Sequence, residues 1–302
     1  MNKWLPYIKA VLSMFCWSIT FVWIKVALKT YHPYEITFLR LVLASSLLFL
    51  IMWLGKHSEK VERKDYLRLM LVSFCEPFMY FIGEANGMQY VSSTLGSLII
   101  STIPIFAAVG AWFILKEKLS LSLLLGLIMS CIGVAVMSLG SGDLSANTKG
   151  ILFLMIAVFA GVFYSITVRR LTLRYSAITI VAWQSLFGML YFLPLFLYYD
   201  GAHFVSVHHD VEGLLTIAAM SLFASVGAFM LYTGVIRDLG VIKSNVFTNL
   251  IPIFTVILAY IMLGDVLSPL AAIGLSLALI GLMLSQYNDL KRLGQKLDRS
   301  RR

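Results

Sequence analysis

The chain has 302 residues, of which 60% are hydrophobic and only 13% are charged. Its mean hydropathy of +0.87 excludes a water-soluble domain, whose surface could not be so apolar. The net charge of +9 does not indicate nucleic-acid binding, because the basic residues sort by loop, as they do in membrane proteins.

Apolar stretches long enough to cross a hydrocarbon core of roughly 30 Å recur along the chain. They are continuously apolar rather than alternating every second residue, which favours helices over a barrel. The sequence therefore predicts an all-α integral membrane protein with ten transmembrane helices. These predicted spans, numbered 1 to 10 in chain order, are 5–28, 35–54, 66–88, 93–115, 121–140, 150–169, 177–199, 213–236, 244–263 and 268–287.

The lysines and arginines are concentrated on one side of this topology. Of the 24, 20 lie at one predicted membrane face, either in the segment before span 1, the loops after the even-numbered spans and the tail after span 10, or within the span ends that adjoin them. The exceptions are Lys25, Lys29, Arg40 and Lys149. The positive-inside rule then predicts that both termini are cytoplasmic. We expect a multi-pass protein of the plasma membrane, most simply a bacterial inner membrane.

The sequence contains an internal duplication. The stretch 97–133 aligns without gaps on 245–281 at a constant offset of 148, and "WSIT" at 17–20 matches "YSIT" at 164–167. Each copy holds five spans, an odd number, so the second copy must enter the membrane from the opposite side. The prediction is two inverted five-helix repeats, 1–143 and 149–290, followed by a basic cytoplasmic tail, 291–302.

The aligned blocks of the two repeats share a P-I-F motif at Pro104 and Pro252, an acidic residue at Glu117 and Asp265, and regularly spaced glycines. With ten predicted helices, they resemble the drug/metabolite transporter superfamily in its ten-helix EamA-type branch. The resemblance covers about 5 to 287. It implies a secondary carrier, often an exporter of amino acids or other small metabolites, with a central cavity lined by spans 1, 3, 4, 6, 8 and 9. Asp265 departs from the usual Glu, and Lys243 stands where a small residue is commoner.

Span 3 carries two carboxylates in the stretch "SFCEPFMYFIGEANG" at 73–87. Counted from Asp65 at 1.5 Å per residue, Glu76 lies roughly 16 Å deep, where a charge is costliest. The neighbouring Pro77 removes a backbone donor and should kink the helix. Glu76 is therefore predicted to bind a substrate amine or a proton, with a structural hydrogen bond to another helix as the alternative.

Glu84 is predicted to lie roughly 28 Å from the same edge, near the opposite interface. Arg40 and Lys25 fall at a similar depth on spans 2 and 1. The three side chains form either a salt-bridged outer gate or ordinary interfacial charges that extend to the headgroups.

Further polar and aromatic residues within the spans are candidates for substrate binding. Asn245 and Asn249 are one turn apart in span 9, and Ser101 is the counterpart of Asn249 in span 4. Amides and hydroxyls beside paired prolines suit a substrate carboxylate, although interhelical hydrogen bonds give the same pattern. Mid-span rings fit stacking and cation–π contacts as well as plain packing. The remaining candidates are Trp17, Tyr80, Tyr164, Trp183, Gln184 and Tyr232.

Together these features predict a secondary transporter that works by alternating access and exports amino acids or similar small amphiphilic metabolites, with proton coupling through Glu76. A multidrug or organic-cation exporter is the alternative within the same class. An enzyme is disfavoured because no histidine lies in a predicted span and the acidic residues are dispersed. A channel is the other competitor.

No cofactor and no metal is expected. The segment "HFVSVHHD" at 203–210 is interpreted as a solvated loop rather than a metal cluster. The expected partners are a small-molecule substrate and the lipid bilayer but no nucleic acid, and a homodimer is left open.

Overall fold

A computed structural model describes residues 4–55, 59–116, 120–140, 148–263 and 268–285, except 271 and 275. Within these ranges all regular structure is helical. Asp265 and the tail 291–302 lie outside the described residues. The helical segments are Leu5–Ala27 (span 1), Pro33–Leu54 (span 2), Arg63–Ser73 and Tyr80–Gly87 (span 3), Ser93–Ile100 and Ile103–Leu115 (span 4), Leu121–Gly140 (span 5), Thr148–Thr172 (span 6), Ala177–Leu195 and Gly201–Ser206 (span 7), Val211–Ala219 and Phe229–Leu239 (span 8), Val241–Val246 and Leu250–Leu263 (span 9), and Ala272–Ser285 (span 10).

Six described helices have the length and apolar composition needed to cross a membrane, in spans 1, 2, 6, 7, 8 and 9. Spans 3 and 4 are not among the six, and spans 5 and 10 contribute shorter apolar helices. The chain is an all-helical membrane protein, as the sequence predicts. Apart from the kink expected at Pro77, the breaks within the spans were not predicted.

The interruptions in spans 3, 4 and 9 lie next to prolines, which remove a backbone donor from the helix. In span 3, Phe74–Met79 forms a wide turn in which Glu76 has an extended backbone, with φ −146° and ψ 119°. Span 4 breaks just before Pro104, and span 9 tightens at Phe247–Asn249 just before Pro252. The breaks in spans 4 and 9 occupy equivalent places in the two repeats.

Glycines of spans 5 and 10 show how the two halves are related. A Cβ at Gly133 would lie 2.3 Å from the nitrogen of Ala278, and a Cβ at Gly281 would lie 2.3 Å from the nitrogen of Ser130. Adding the repeat offset of 148 to Gly133 gives Gly281, and adding it to Ser130 gives Ala278, so each contact is the repeat counterpart of the other. Residue numbers rise along span 5 as the numbers of the contacted residues in span 10 fall, so the two helices are antiparallel. Both features are those of inverted repeats, and the prediction is confirmed.

Contacts among the other spans follow the same symmetry. Span 1 packs against spans 8 and 9, and its counterpart, span 6, packs against spans 3 and 4. Span 2 packs against its own counterpart, span 7. Gly188 of span 7 makes room for the kink of span 3, because a Cβ there would lie 2.4 Å from Cγ of Pro77. The broken region of span 3 is therefore held in place by the second half.

Gly133→Ala should lower the thermal unfolding temperature, because the added methyl group overlaps the backbone of Ala278 and overpacking costs roughly 1–3 kcal/mol. Gly234→Ala is the matched control: a Cβ there meets nothing within 4 Å. The better helix propensity of Ala should make that variant more stable, by up to about 1 kcal/mol. Tryptophan fluorescence during heating in one detergent measures both. A Gly133→Ala protein as stable as the parent would contradict the close packing of spans 5 and 10.

Candidate functional site

A cavity lies between the two halves and holds about 550 Å³ of space between its wall atoms, clefts included. Its walls come from spans 1, 3, 4, 6, 8 and 9, with one further side chain, Arg40, from span 2. Two polar walls and one aromatic wall can be distinguished.

The first polar wall belongs to span 3, where Glu76 and Glu84 both line the cavity. They are 7% and 6% exposed, respectively. The interpretation of Glu84 and Arg40 as ordinary interfacial charges was therefore wrong. Depth along a helix axis does not separate the two carboxylates into different sites, because the cavity extends along span 3.

Arg40 faces Glu84 across the cavity and is 2% exposed. Its Nη1 lies 4.0 Å from Oε2 of Glu84, the outer limit of an ion pair. The guanidinium lies 4.4 Å above the ring of Phe81, and its Nε and Nη2 donate to Oγ of Ser225 at 3.4 and 3.3 Å. An arginine has five N–H donors in a planar fork, so this loose set of contacts leaves capacity to bind a carboxylate.

Glu76 is held differently. Within the described part of the chain, no hydrogen bond reaches its carboxylate, although the side chain is buried. A buried carboxylate without donors is costly in a membrane interior. Because it lines the cavity, it is accessible to water, to a proton or to a cationic group that enters.

The second polar wall comes from span 9, where Asn245 and Thr248 line the cavity. Asn249 does not, and its Nδ2 instead donates to Oγ of Ser130 in span 5 at 2.7 Å. The expectation that Asn245 and Asn249 share a face was wrong, because the tight turn at Phe247–Asn249 shifts the register between them.

The aromatic wall contains four of the predicted rings, those of Trp17, Tyr80, Tyr164 and Tyr232. Trp17 meets the ring of Tyr232 edge-on, with centroids 4.9 Å apart. The hydroxyl of Tyr164 lies 3.4 Å from Oε1 of Gln184, which orients this ring from outside the cavity. The hydroxyl of Tyr232 is buried, and its approach to Ser244 falls short of a hydrogen bond.

The structure places three other candidates away from the cavity. Ser101 is buried at the break of span 4 but is not part of the wall. Trp183 packs between the rings of Phe49 and Tyr66, at centroid distances of 5.5 and 5.0 Å. Lys25 donates to the backbone carbonyl oxygens of Met88 and Val91. It therefore holds the chain after span 3 rather than pairing with Glu84.

Several residues of the cavity wall were not among the candidates chosen from the sequence. Thr20 belongs to the repeated "WSIT" stretch and could have been chosen on that basis. Phe21, Phe81 and Phe229 are apolar residues in apolar spans, so nothing distinguished them from lipid-facing side chains. Ser225, the hydrogen-bond partner of Arg40, lies in a wide turn of span 8 that hydropathy does not reveal.

Polar contacts tie the two halves together at both ends of the bundle. At the end that carries the N-terminus, Oδ2 of Asp65 accepts hydrogen bonds from Tyr175 and Arg174, both at 2.9 Å, and Oδ1 accepts one from Arg68 at 2.6 Å. Burial opposes ionisation of Asp65, but these hydrogen bonds outweigh it and lower the pKa of the carboxyl. At the opposite end, Nδ1 of His203 lies 2.7 Å from Oε1 of Glu35.

Comparison with protein-family models matches the EamA-like transporter family twice, over residues 4–139 and 148–287. YetK of Bacillus subtilis (strain 168), described as an uncharacterized transporter, is 26% identical over 252 residues, covering 82% of this chain and 76% of that protein. An uncharacterized transporter of Archaeoglobus fulgidus is 25% identical over 284 residues, covering 94% of this chain and 98% of that protein.

A further relative, from Streptantibioticus cattleyicolor, is described as a probable terminal-alkyne amino-acid exporter. It is 24% identical over 287 residues, which cover 93% of each protein. One solved crystal structure superposes with a TM-score of 0.78 over 93% of this chain and 96% of that chain, at 14% identity. A likeness at that identity shows a common fold and nothing about the ligand.

Replacing either member of the Arg40–Glu84 pair should destabilise the protein, because the remaining charge is left buried without its partner, at a cost on the order of a few kcal/mol. The double variant Arg40→Gln/Glu84→Gln should lose less stability than the two single losses combined. Thermal unfolding midpoints of all four proteins in one detergent give this comparison. Strictly additive shifts would mean that the two charges do not interact.

Asp65→Asn should lower the unfolding temperature at neutral pH. The folded-state pKa of Asp65 lies below its usual value of 3.8, so the ionised carboxylate stabilises the fold above that value. This contribution begins to fade below about pH 4, near the unfolded-state pKa, and is lost as the pH falls through the lowered folded-state pKa, so the two proteins should converge in that range. Glu212→Gln, at an exposed carboxylate of span 8, is the control and should shift the midpoint much less at either pH. A deficit of Asp65→Asn that persists unchanged in acid would rule out this ionic contribution.

Proposed function

The chain belongs to the EamA-like transporter family, and from that premise we propose that it exports amino acids or similar small amphiphilic metabolites by alternating access. Because the family and its curated relatives are transporters, the chain is a membrane transporter and not an enzyme. A small-molecule substrate and a surrounding membrane follow from the same assignment.

The observation that carries the proposal is the state of Glu76. Its carboxylate is buried in a cavity whose walls come from both halves, and no hydrogen bond from the described residues reaches it. A purely structural carboxylate in a membrane interior would be paired with donors. Glu76 is instead available to a proton or to a substrate ammonium group.

The substrate class follows from the charges around the cavity. Glu76 suits an ammonium group, and the planar fork of Arg40 suits a carboxylate. Between them, the edges of Trp17 and Tyr232 provide an apolar surface for a side chain. A zwitterion with an apolar or aromatic side chain satisfies all three features. The Streptantibioticus relative, described as a probable amino-acid exporter, supports this class.

Transport is coupled to protons if the carboxylate of Glu76 binds a proton and the substrate ammonium group in turn. In the cycle we propose, Glu76 carries a proton when the cavity opens to the outer side and exchanges it for the substrate ammonium on the cytoplasmic side. A conformational change must then expose Glu76 to each side alternately. Export of substrate is thereby driven by protons moving inward.

Alternating access requires that each end of the bundle open in turn. The Asp65 contacts with Tyr175 and Arg174, and the Glu35 contact with His203, each join the first half to the second. In the proposed cycle each of these ties breaks in one of the two open states. Rocking of one inverted repeat against the other is the corresponding motion.

The proposal includes a bacterial inner-membrane location with both termini in the cytoplasm, since 20 of the 24 basic residues fall on that side of the predicted topology. One chain contains the whole cavity wall. Gly133 and Gly281, two of the regularly spaced glycines of the aligned blocks, pack between spans 5 and 10 of the same chain. A homodimer would therefore need a different surface.

The alternative is an exporter of organic cations. The aromatic wall and Glu76 suit a cation as well as an ammonium group. The zwitterion is favoured because Arg40 keeps N–H donors that its long contacts with Glu84 and Ser225 do not use, and these can bind a substrate carboxylate. A channel would differ from either carrier by showing neither saturation nor counterflow.

A thermal-shift screen of the purified protein against individual L-amino acids and tetraphenylphosphonium tests the substrate class. The expected result is stabilisation by apolar or aromatic amino acids that is lost in Glu76→Gln and kept in Glu212→Gln, the exposed control. Stabilisation by tetraphenylphosphonium alone would favour the organic-cation exporter.

Flux of the best-binding amino acid is then measured in inside-out vesicles with an acidic interior. Vesicle sidedness is checked in the same sample with a membrane protein of known orientation, and protease accessibility of the C-terminal tail is then measured. Glu76→Gln should reduce proton-driven accumulation at least about tenfold, the factor that corresponds to 1.4 kcal/mol of lost stabilisation. Unchanged accumulation and pH dependence in Glu76→Gln would overturn the coupling mechanism, and a tail protected from protease in these vesicles would overturn the orientation.

A further inference from the structure

We propose that His32, Glu35 and His203 form a binding site for a divalent transition-metal ion of the Zn²⁺ type, at the end of the bundle opposite the N-terminus. The three side chains offer two imidazole nitrogens and one carboxylate oxygen, all within 4.8 Å of one another. This set of ligand types is typical of protein zinc sites. The site is separate from the cavity, because none of the three residues lines it.

The rings of His32 and His203 lie face to face, with centroids 3.7 Å apart and planes inclined by 12°. Nδ1 of His203 lies 2.7 Å from Oε1 of Glu35. Two imidazoles therefore lie next to a fully buried carboxylate, although the stacked rings must turn out of their parallel arrangement for both nitrogens to ligate one ion.

The local sequence fixes the carboxylate of this site. His32 immediately precedes the helix that begins at Pro33, and Glu35 occupies its third position. Oε2 of Glu35 accepts a hydrogen bond from the backbone nitrogen of His32 at 2.7 Å, which closes a capping box. Oε1 is thereby directed towards His203. An outer hydrogen bond of this kind commonly orients a metal-ligating carboxylate.

Asp200 adds a fourth possible ligand beside the cluster. Its Oδ1 lies 3.3 Å from Nδ1 of His32, and its Oδ2 accepts a hydrogen bond from the backbone nitrogen of Tyr34 at 3.1 Å. Four ligands at bond lengths of about 2.0–2.2 Å make a tetrahedral zinc site.

The sequence did not reveal this site because its histidines are far apart in the chain. The segment 203–210 was interpreted as a solvated loop, but His203 lies in the helix Gly201–Ser206, where it packs against His32 of the first half. The other two histidines of that segment, His208 and His209, are not part of the cluster.

The donor atoms select among metals. Imidazole nitrogens suit Zn²⁺, Cu²⁺ and Ni²⁺, whereas Mg²⁺ and Ca²⁺ prefer oxygen ligands throughout. A bound ion would join the start of span 2 to the end of span 7, and so hold the two halves together at this end. Zn²⁺ should therefore stabilise the conformation in which this end is closed.

Isothermal titration of ZnCl₂ and MgCl₂ into protein that carries no polyhistidine tag and has been stripped with EDTA tests the site. The variants are His32→Asn and His203→Asn, since the Asn side-chain amide can retain a donor near the Nδ1 position while the imidazole is lost. His208→Asn is the matched control, because His208 is an exposed histidine in the same segment.

The expected result is one Zn²⁺ per chain, with affinity weakened at least about tenfold in His32→Asn and His203→Asn and unchanged in His208→Asn. Mg²⁺ should not compete. The proposal is overturned if the parent protein binds no Zn²⁺, if both cluster variants bind it as tightly as His208→Asn does, or if Mg²⁺ displaces it.

Thermal unfolding with and without Zn²⁺ provides a second measurement that does not depend on the variants. Zn²⁺ should raise the unfolding midpoint of the parent protein and of His208→Asn, and Mg²⁺ should not. Should His203→Asn fail to fold, His32→Asn still decides the question, because the side chain of His32 is 50% exposed and its loss disturbs packing little. An equal midpoint with and without Zn²⁺ in the parent protein would refute the site.

Discussion

A charged side chain inside a membrane must be paired, hydrated or neutralised, and the interior of this protein is arranged around that requirement. Glu84 and Arg40 meet it by facing each other at 4.0 Å, with Phe81 beneath the guanidinium. The carboxylate of Glu76 has no hydrogen-bond donor among the described residues, so water, a proton or a ligand in the cavity has to take that place. A site with one loosely paired arginine and one carboxylate without a protein donor favours a cationic group that enters it, because such a group removes the cost of the buried charge.

The inverted repeat places that carboxylate between two bodies that can move relative to each other. Spans 5 and 10 join them through glycine contacts too close for any side chain, which gives a tight, symmetric junction away from the cavity. The cavity walls, by contrast, are contributed by both halves and include helices that break beside Pro77, Pro104 and Pro252. Backbone groups freed at such breaks add polarity where a substrate binds, as in other carriers with discontinuous helices.

The two ends of the bundle are chemically different, although the repeats are related by symmetry. Around Asp65 the contacts are hydrogen bonds from arginines and a tyrosine, whereas around Glu35 they involve two stacked histidines. The first set of contacts responds to acid, and the second has the ligand atoms of a metal site. Asymmetry of this kind lets the two open states of a carrier differ in stability.

The sequence by itself determined the class of protein, the helix count and the inverted duplication, because hydropathy and an odd number of spans per repeat are properties of the chain alone. It also identified Glu76, Trp17 and Tyr164 as unusual, since polar and aromatic groups stand out in an apolar span. Only the tertiary structure decided which of them share a cavity. Glu84 lines the same cavity as Glu76, whereas Asn249 does not line the cavity beside Asn245. Breaks in the helices change which residues share a face, and a regular helical period does not account for such breaks. The pairing of His203 with His32 and Glu35 was likewise decided by packing, which brings together residues that the chain separates by more than a whole repeat.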